Sequence, residues 1–189
     1  MKRNNRQAAN PIIVPLTPDL WPALEDLFGP RGATDGCWCM YWRLGKEYKN
    51  HDRALNKAAF RRIVKRGPPP GLLAFEGDLA VGWCQVTPRA VLPILDQRRV
   101  SARVDDAPVW SLSCFYVRKG YRRKGIVSAL IDAAVKAAKR AKAPALEAYP
   151  YVTKQPVYVG LLSSFERAGF KVVARPTASR AIVRHSLKG

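Results

Sequence analysis

A chain of 189 residues is long enough for one well-buried core and short for two, and 48% hydrophobic with 25% charged residues excludes a largely disordered or fibrous protein. The 33 lysines and arginines against 14 aspartates and glutamates give a formal charge of +19, a field that draws anions of every kind and works against a polycationic substrate. No apolar run reaches the ~20 residues that cross a bilayer, so no membrane span is expected.

The four cysteines, at 37, 39, 84 and 114, match neither a paired C-x-x-C metal pattern nor a secreted disulfide framework. They read as buried free thiols of a reduced, cytoplasmic protein without a metal; a site built from Cys37, Cys39 and His51 or His185 is the lesser alternative.

Residues 1–10 are basic and polar and are expected to form a flexible tail ahead of a single domain over 11–189. Residues 12–16, Ile-Ile-Val-Pro-Leu, read as a strand. Thr17-Pro18 then supplies an N-cap and first-turn proline for a helix through Leu20, Trp21, Leu24 and Leu27 that stops before Gly29-Pro30. Residues 36–44 are dense in aromatic side chains and read as packed core, with Trp38, Tyr41 or Trp42 also placed to wall an acceptor pocket. Asp52 is the expected cap of a second helix whose apolar face is Leu55, Ala58 or Ala59, and Ile63, closed by Pro68-Pro-Pro-Gly71.

A hairpin follows, 72–75 and 79–86 about Glu-Gly-Asp, and then a connection over 89–107 with one helical turn near 92–96. Residues 109–117 are a strand and 123–141 a helix with Val127, Leu130 or Ile131, and Ala134 on one face. Residues 144–149 form a strand on which alternation sets Glu147 and Tyr149 on one side. A short helix at 161–168 and strands at 169–174 and 181–184 close the chain.

The stretch from Val117 to Leu130 joins strand to helix through a basic, glycine-bearing loop. The first turn of a helix leaves backbone N–H groups unpaired at the positive end of the helix dipole, Gly125 lets a ligand approach the backbone, and Arg122, Arg123 and Lys124 surround it with charge. An anion fits there. Arg122-x-x-Gly125-x-Val127 resembles the pyrophosphate loop of the GNAT superfamily of acyl-coenzyme-A N-acyltransferases, with Val127 where a small residue is usual. Ser164-Phe-Glu-Arg-Ala-Gly-Phe170 is similar to that superfamily's last helix, and Leu146-Glu-Ala-Tyr-Pro150 to the strand before it; the whole looks like a bacterial branch of the superfamily, over residues 12–185.

The resemblance implies an α/β (α+β) fold, a mixed, mostly antiparallel sheet of six to seven strands flanked by about four helices. It implies acetyl-coenzyme A (acetyl-CoA) as cofactor, held by the backbone of Phe115, Tyr116 and Val117 and by Arg122, Arg123, Lys124, Gly125, Ile126, Val127 and Ser128. Phe165 stands where many relatives carry a proton-donating tyrosine, so Tyr158 becomes the candidate acid, with loop packing its alternative. Glu147 is the candidate base for the amine, with an ion pair to arginine the equal alternative.

The expected activity is acetyl transfer from acetyl-CoA to a primary amine of a small molecule or protein, by a monomer or homodimer. The alternative is a basic module, or a retired acyltransferase fold, that binds nucleic acid or another acidic partner.

Overall fold

The computed structural model describes residues 11–33, 36–153 and 158–187; the basic stretch 1–10 lies outside them. Apolar alternation builds β1 (Ile12–Pro15), β2 (Gly71–Glu76), β3 (Leu79–Pro88), β4 (Trp110–Val117), β5 (Ala145–Ala148), β6 (Lys171–Thr177) and β7 (Arg180–Ser186). They form one seven-stranded sheet in the order β1-β2-β3-β4-β5-β7-β6. All neighbours are antiparallel except β4 and β5. The expected hairpin is β2–β3, with Glu76 paired to Leu79 across a two-residue turn.

Helices cover both faces. α1 (Trp21–Phe28), α2 (Tyr41–Leu44) and α3 (Arg53–Arg66) lie on one side, where Trp21, Trp38, Phe60 and Trp83 form an aromatic core. α4 (Ile126–Arg140) and α5 (Leu162–Arg167) lie on the other, packed on Val81, Leu112, Phe115 and Val183 through Leu130, Ile131 and Ala134. The sheet is thus buried on both faces, which is why β3 reads as a continuous apolar run. Among the described residues no helix is long and apolar enough to cross a membrane.

Several local expectations shift. Asp52 caps α3 as expected, its Oδ1 accepting from the Leu55 N–H at 2.7 Å, but Thr17 makes no side-chain cap bond and leads into a 3-10 turn, Pro18–Leu20. The apolar face of α3 is rotated by one residue: Leu55 is 54% exposed, while Asn56, Phe60 and Val64 are buried. Phe60 decides the rotation, because its ring meets Trp83 edge-on at 5.9 Å and Trp21 at 6.2 Å, a larger burial than any leucine or alanine of that helix offers. The 89–107 connection holds three 3-10 turns, Arg89–Val91, Pro93–Leu95 and Arg99–Ser101, rather than one helical turn. α4 starts at Ile126, three residues later than expected, because Arg123 and Gly125 take left-handed backbone conformations (φ 65° and 81°).

Trp83 anchors the α1/α3 core and needs a glycine beside it. A Cβ on Gly71 would stand 2.1 Å from the Cys84 carbonyl oxygen and 2.5 Å from the Trp83 ring. Backbone cannot yield there without parting β2 from β3. Gly71→Ala is expected to lower stability by about 3 kcal/mol, read as a shifted urea midpoint at unchanged slope; a change under about 1 kcal/mol would show that the two strands can spread.

Candidate active site

β4 and β5 run together for three residues only, Trp110–Leu112 beside Leu146–Ala148, and then part. β5 ends where Pro150 removes a backbone donor, whereas β4 continues to Val117. The residues 113–117 are therefore held by β3 on one side and open toward a gap on the other. Side chains of β4 alternate across the sheet: Phe115 enters the α4 core, and Cys114 and Tyr116 pack against the α1 core. A cavity lies on each side of this gap.

The first, about 530 Å³, sits over the start of α4. It is lined by Phe115, Tyr116, Val117, Arg122, Arg123, Gly125, Ile126, Val127 and Ser128, all of them expected from the sequence. Lys124 is the exception, its ammonium turned 4.6 Å over the Tyr121 ring. The first intrahelical backbone bond of α4 is donated by Ala129 to Gly125 at 3.0 Å, so the amides of Ile126 to Ser128 have no acceptor in the helix. A Cβ at Gly125 would meet nothing within 4 Å. The donor set is an amide-rich helix start among arginines, open to backbone approach, and it fits a pyrophosphate. Arg167 and Ser164 of α5 also face this cleft. No sequence signal assigned them, since they follow from how α5 docks beside α4.

The second cavity, about 540 Å³, lies on the α1 side and is walled largely by aromatic groups. Phe28, Trp83 and Tyr116 form one flank and Tyr41, Trp42 and Tyr48 the other, with the Tyr41 ring 5.0 Å from Trp42 and 5.6 Å from Tyr48. Trp38 is not a wall; it is buried beside Trp21 and Phe28. Arg98 and Arg180 reach the chamber from the 89–107 connection and the start of β7. Cys37, Cys39 and Cys114 complete it as free thiols. Burial pushes Cys37 up to about 11, and the adjacent Cys114 thiol together with burial pushes Cys39 well above its ordinary value, so neither supplies a thiolate near neutrality.

Tyr116 and Tyr158 line both cavities. Tyr158 is 46% exposed, and its carbonyl accepts the Phe115 N–H at 2.5 Å across the gap that β5 leaves. Phe165 is fully buried between Phe115 and Phe170, with ring centroids 6.1 and 5.2 Å away. It is a packing residue.

Glu147 lines neither cavity. Its carboxylate is fully buried; one oxygen accepts from Arg89 Nη1 at 2.8 Å and from the Tyr149 hydroxyl at 2.9 Å, the other from Arg184 Nε at 2.7 Å. The ion pair, one of the two readings of this residue, is therefore present in full. Arg89 also donates to Tyr149, Asp96 and the Ser101 carbonyl, and Arg184 also holds Asp105. Burial works against the Arg89 charge, but Tyr149, Asp96 and Glu147 outweigh it and hold the guanidinium more firmly protonated. Burial and the Glu147 charge push the Tyr149 phenol up, which keeps its hydroxyl protonated and donating to Glu147 near neutral pH.

Known proteins share this fold. Residues 36–170 match the Acetyltransferase (GNAT) family. The fold is similar to that of the PaiA N-acetyltransferase of Thermoplasma acidophilum, solved in complex with coenzyme A, at a TM-score of 0.56 and 16% identity over 94% of this chain and 99% of that one. An N-acetyltransferase of Staphylococcus aureus is similar at a TM-score of 0.57 and 14% identity, over 95% of this chain and 100% of the other. An acetyltransferase of Thermus thermophilus is similar at 0.54 and 15%, over 95% and 98%. No curated protein sequence matches the chain. The matched segment spans both cavities' β4 walls, the loop into α4 and all of α5, and the chain belongs to the GNAT acetyltransferase family, enzymes that move an acyl group from acyl-CoA to an amine.

Proposed function

We propose that this acetyltransferase holds acetyl-CoA in the cleft over α4, receives a small primary amine in the aromatic chamber, and joins the two at the β4–β5 gap. The observation that carries this reading is the double position of Tyr116 and Tyr158, which line both cavities and so mark where a donor on one side meets an acceptor on the other. Four free thiols suit the reducing cell interior, and we place the enzyme in the cytoplasm.

Acetyl-CoA, when bound, supplies the thioester. The amides of Ile126 to Ser128 with Arg122, Arg123 and Arg167 would neutralise its pyrophosphate, and Val127, half-buried against the α4 core, leaves its amide free for that purpose. The amine nitrogen forms the new C–N bond as the C–S bond breaks, its surplus proton passing to water. Tyr158 holds the proton for the departing sulfur at its hydroxyl. Aromatic walls exclude solvent from the nucleophile. With both oxygens engaged by arginines, Glu147 serves as a positioning residue: it ties β5 to β7 and, through Arg89, to the connection that carries Arg98.

Gly125→Glu adds bulk and negative charge at the loop and is expected to weaken acetyl-CoA binding at least about a hundredfold in calorimetry with the circular dichroism unchanged; unaltered affinity would remove the proposed cofactor site. Tyr158→Phe is expected to lower kcat about a hundredfold while leaving cofactor affinity near wild type. An unchanged kcat would return Tyr158 to a packing role. Glu147→Gln leaves two guanidinium groups short of their shared counter-charge and is expected to cost about 3 kcal/mol in urea denaturation while the acid limb of the rate profile stays in place. Loss of that limb without loss of stability would restore Glu147 as the base.

A further inference from the structure

We propose that the acceptor is an amino-acid-like zwitterion, an aromatic or apolar body whose amine sits next to an anionic oxyacid group, with Arg98 and Arg180 as its anion clamp. This inference rests on the acyltransferase reading above and names the substrate of that same site. The chamber is cationic. Among its described lining residues there is no aspartate or glutamate, and the charged side chains are two arginines.

A free cation is ordinary in this protein, because 33 basic residues face 14 acidic ones. Lack of an acidic partner therefore decides nothing by itself. What decides is where these two arginines go and what they touch. Arg98 donates to the Tyr41 hydroxyl and its guanidinium stands 5.5 Å from the centre of the Tyr41 ring. Arg180 donates to the Tyr149 carbonyl at 2.7 Å and stacks 4.3 Å from the Tyr151 ring centre. Its Nε is buried and has no hydrogen-bond partner, an orphan donor on a side chain that lines the cavity. Both cations are thus fixed by neutral groups that leave their charge in place, in contrast to Arg89 and Arg184, whose acids are supplied from within the fold.

Fixed guanidinium groups at a cavity wall select planar oxyanions, which they bind through paired N–H donors. They also repel a bare ammonium, so a simple alkylamine or polyamine gains nothing from the chamber's electrostatics. A zwitterion gains twice. Its anionic group pairs with the arginines, and the positive surroundings lower the pKa of its ammonium, which yields the neutral nucleophile without a carboxylate base. That is consistent with Glu147 standing outside both cavities, its oxygens committed elsewhere. The aromatic flanks, Trp42, Tyr48 and Tyr116 among them, suit a flat apolar side chain. A chamber of about 540 Å³ accommodates a small molecule of this kind beside the acetyl group.

The test is a set of matched acceptors: L-phenylalanine, its amide, phenethylamine and the aminophosphonate analogue of phenylalanine, with L-tryptophan and tryptamine as a second pair. Each is assayed by thiol release from acetyl-CoA and, separately, by calorimetric titration of the protein without cofactor. The expected result is a kcat/KM for each amino acid at least about tenfold above that of its decarboxylated twin, with the amide siding with the twin. Arg98→Gln and Arg180→Gln should each bring that ratio toward one, chiefly through KM. Arg98 is solvent-exposed, so its variant remains informative if Arg180→Gln does not fold.

Preference for the phosphonate over the carboxylate supports the clamp and assigns it to phosphoryl-bearing amines. Equal or better turnover of the decarboxylated twins, or a ratio that neither variant moves, overturns the proposal. Failure of acetyl-CoA to bind would sink the acyltransferase reading, and the calorimetric Kd ratio of acid to twin would still decide the acceptor class: a ratio of one refutes it.

Discussion

Past Leu112, strand β4 has lost its parallel neighbour, and a buried strand edge with no partner is costly because every backbone donor and acceptor on it needs one. The remainder of the architecture can be derived from that constraint. One donor, the Phe115 N–H, is met by the Tyr158 carbonyl, which draws the segment ahead of α5 across the gap. That bond brings the Tyr158 side chain to the junction of the two cavities. It also means that the amide which the family resemblance assigns to the cofactor arm is engaged in this structure, so the binding proposed along β4 requires the Tyr158 segment to give way.

The gap needs rigid borders, and they are built from unlike materials. On the α4 side the border is apolar, with Phe115, Phe165 and Phe170 packed ring against ring and leucine, isoleucine and alanine of α4 pressed on the sheet. On the β5 side it is ionic. Arg89, Glu147, Arg184 and Asp105 run as a chain from the 89–107 connection through β5 to β7. Buried charges of this sort add little net stability compared with a well-packed apolar core, but they demand one geometry. The same connection places Arg98, and the same strand pair places Arg180, so the charged border and the chamber's two cations are parts of one construction.

Much of this was legible in the sequence, where local chemistry alone determines structure. The β2–β3 hairpin follows from a two-residue turn between alternating strands, the α3 start from the Asp52 cap, and the turn into α4 from a glycine between a strand and an amphipathic helix. The family resemblance rested on the same loop and on the last helix. What the sequence left open needed partners distant in the chain. The phase of α3 depends on Trp83 and Trp21, the burial of Glu147 on Arg89 and Arg184, and the approach of Arg98 and Arg180 on a connection and a hairpin that carry no periodic signal. Glu147 shows the difficulty most clearly: alternation placed it correctly on the Tyr149 side, yet alternation says nothing of which arginines wait there.

The most direct test of the two-cavity account is a crystal structure of the protein with acetyl-CoA bound. The account requires the pyrophosphate on the amides of Ile126 to Ser128, the thioester in the β4–β5 gap between Tyr116 and Tyr158, and the Phe115–Tyr158 backbone bond opened or displaced. Acetyl-CoA seated elsewhere, or held with its thioester directed away from the aromatic chamber, would contradict it.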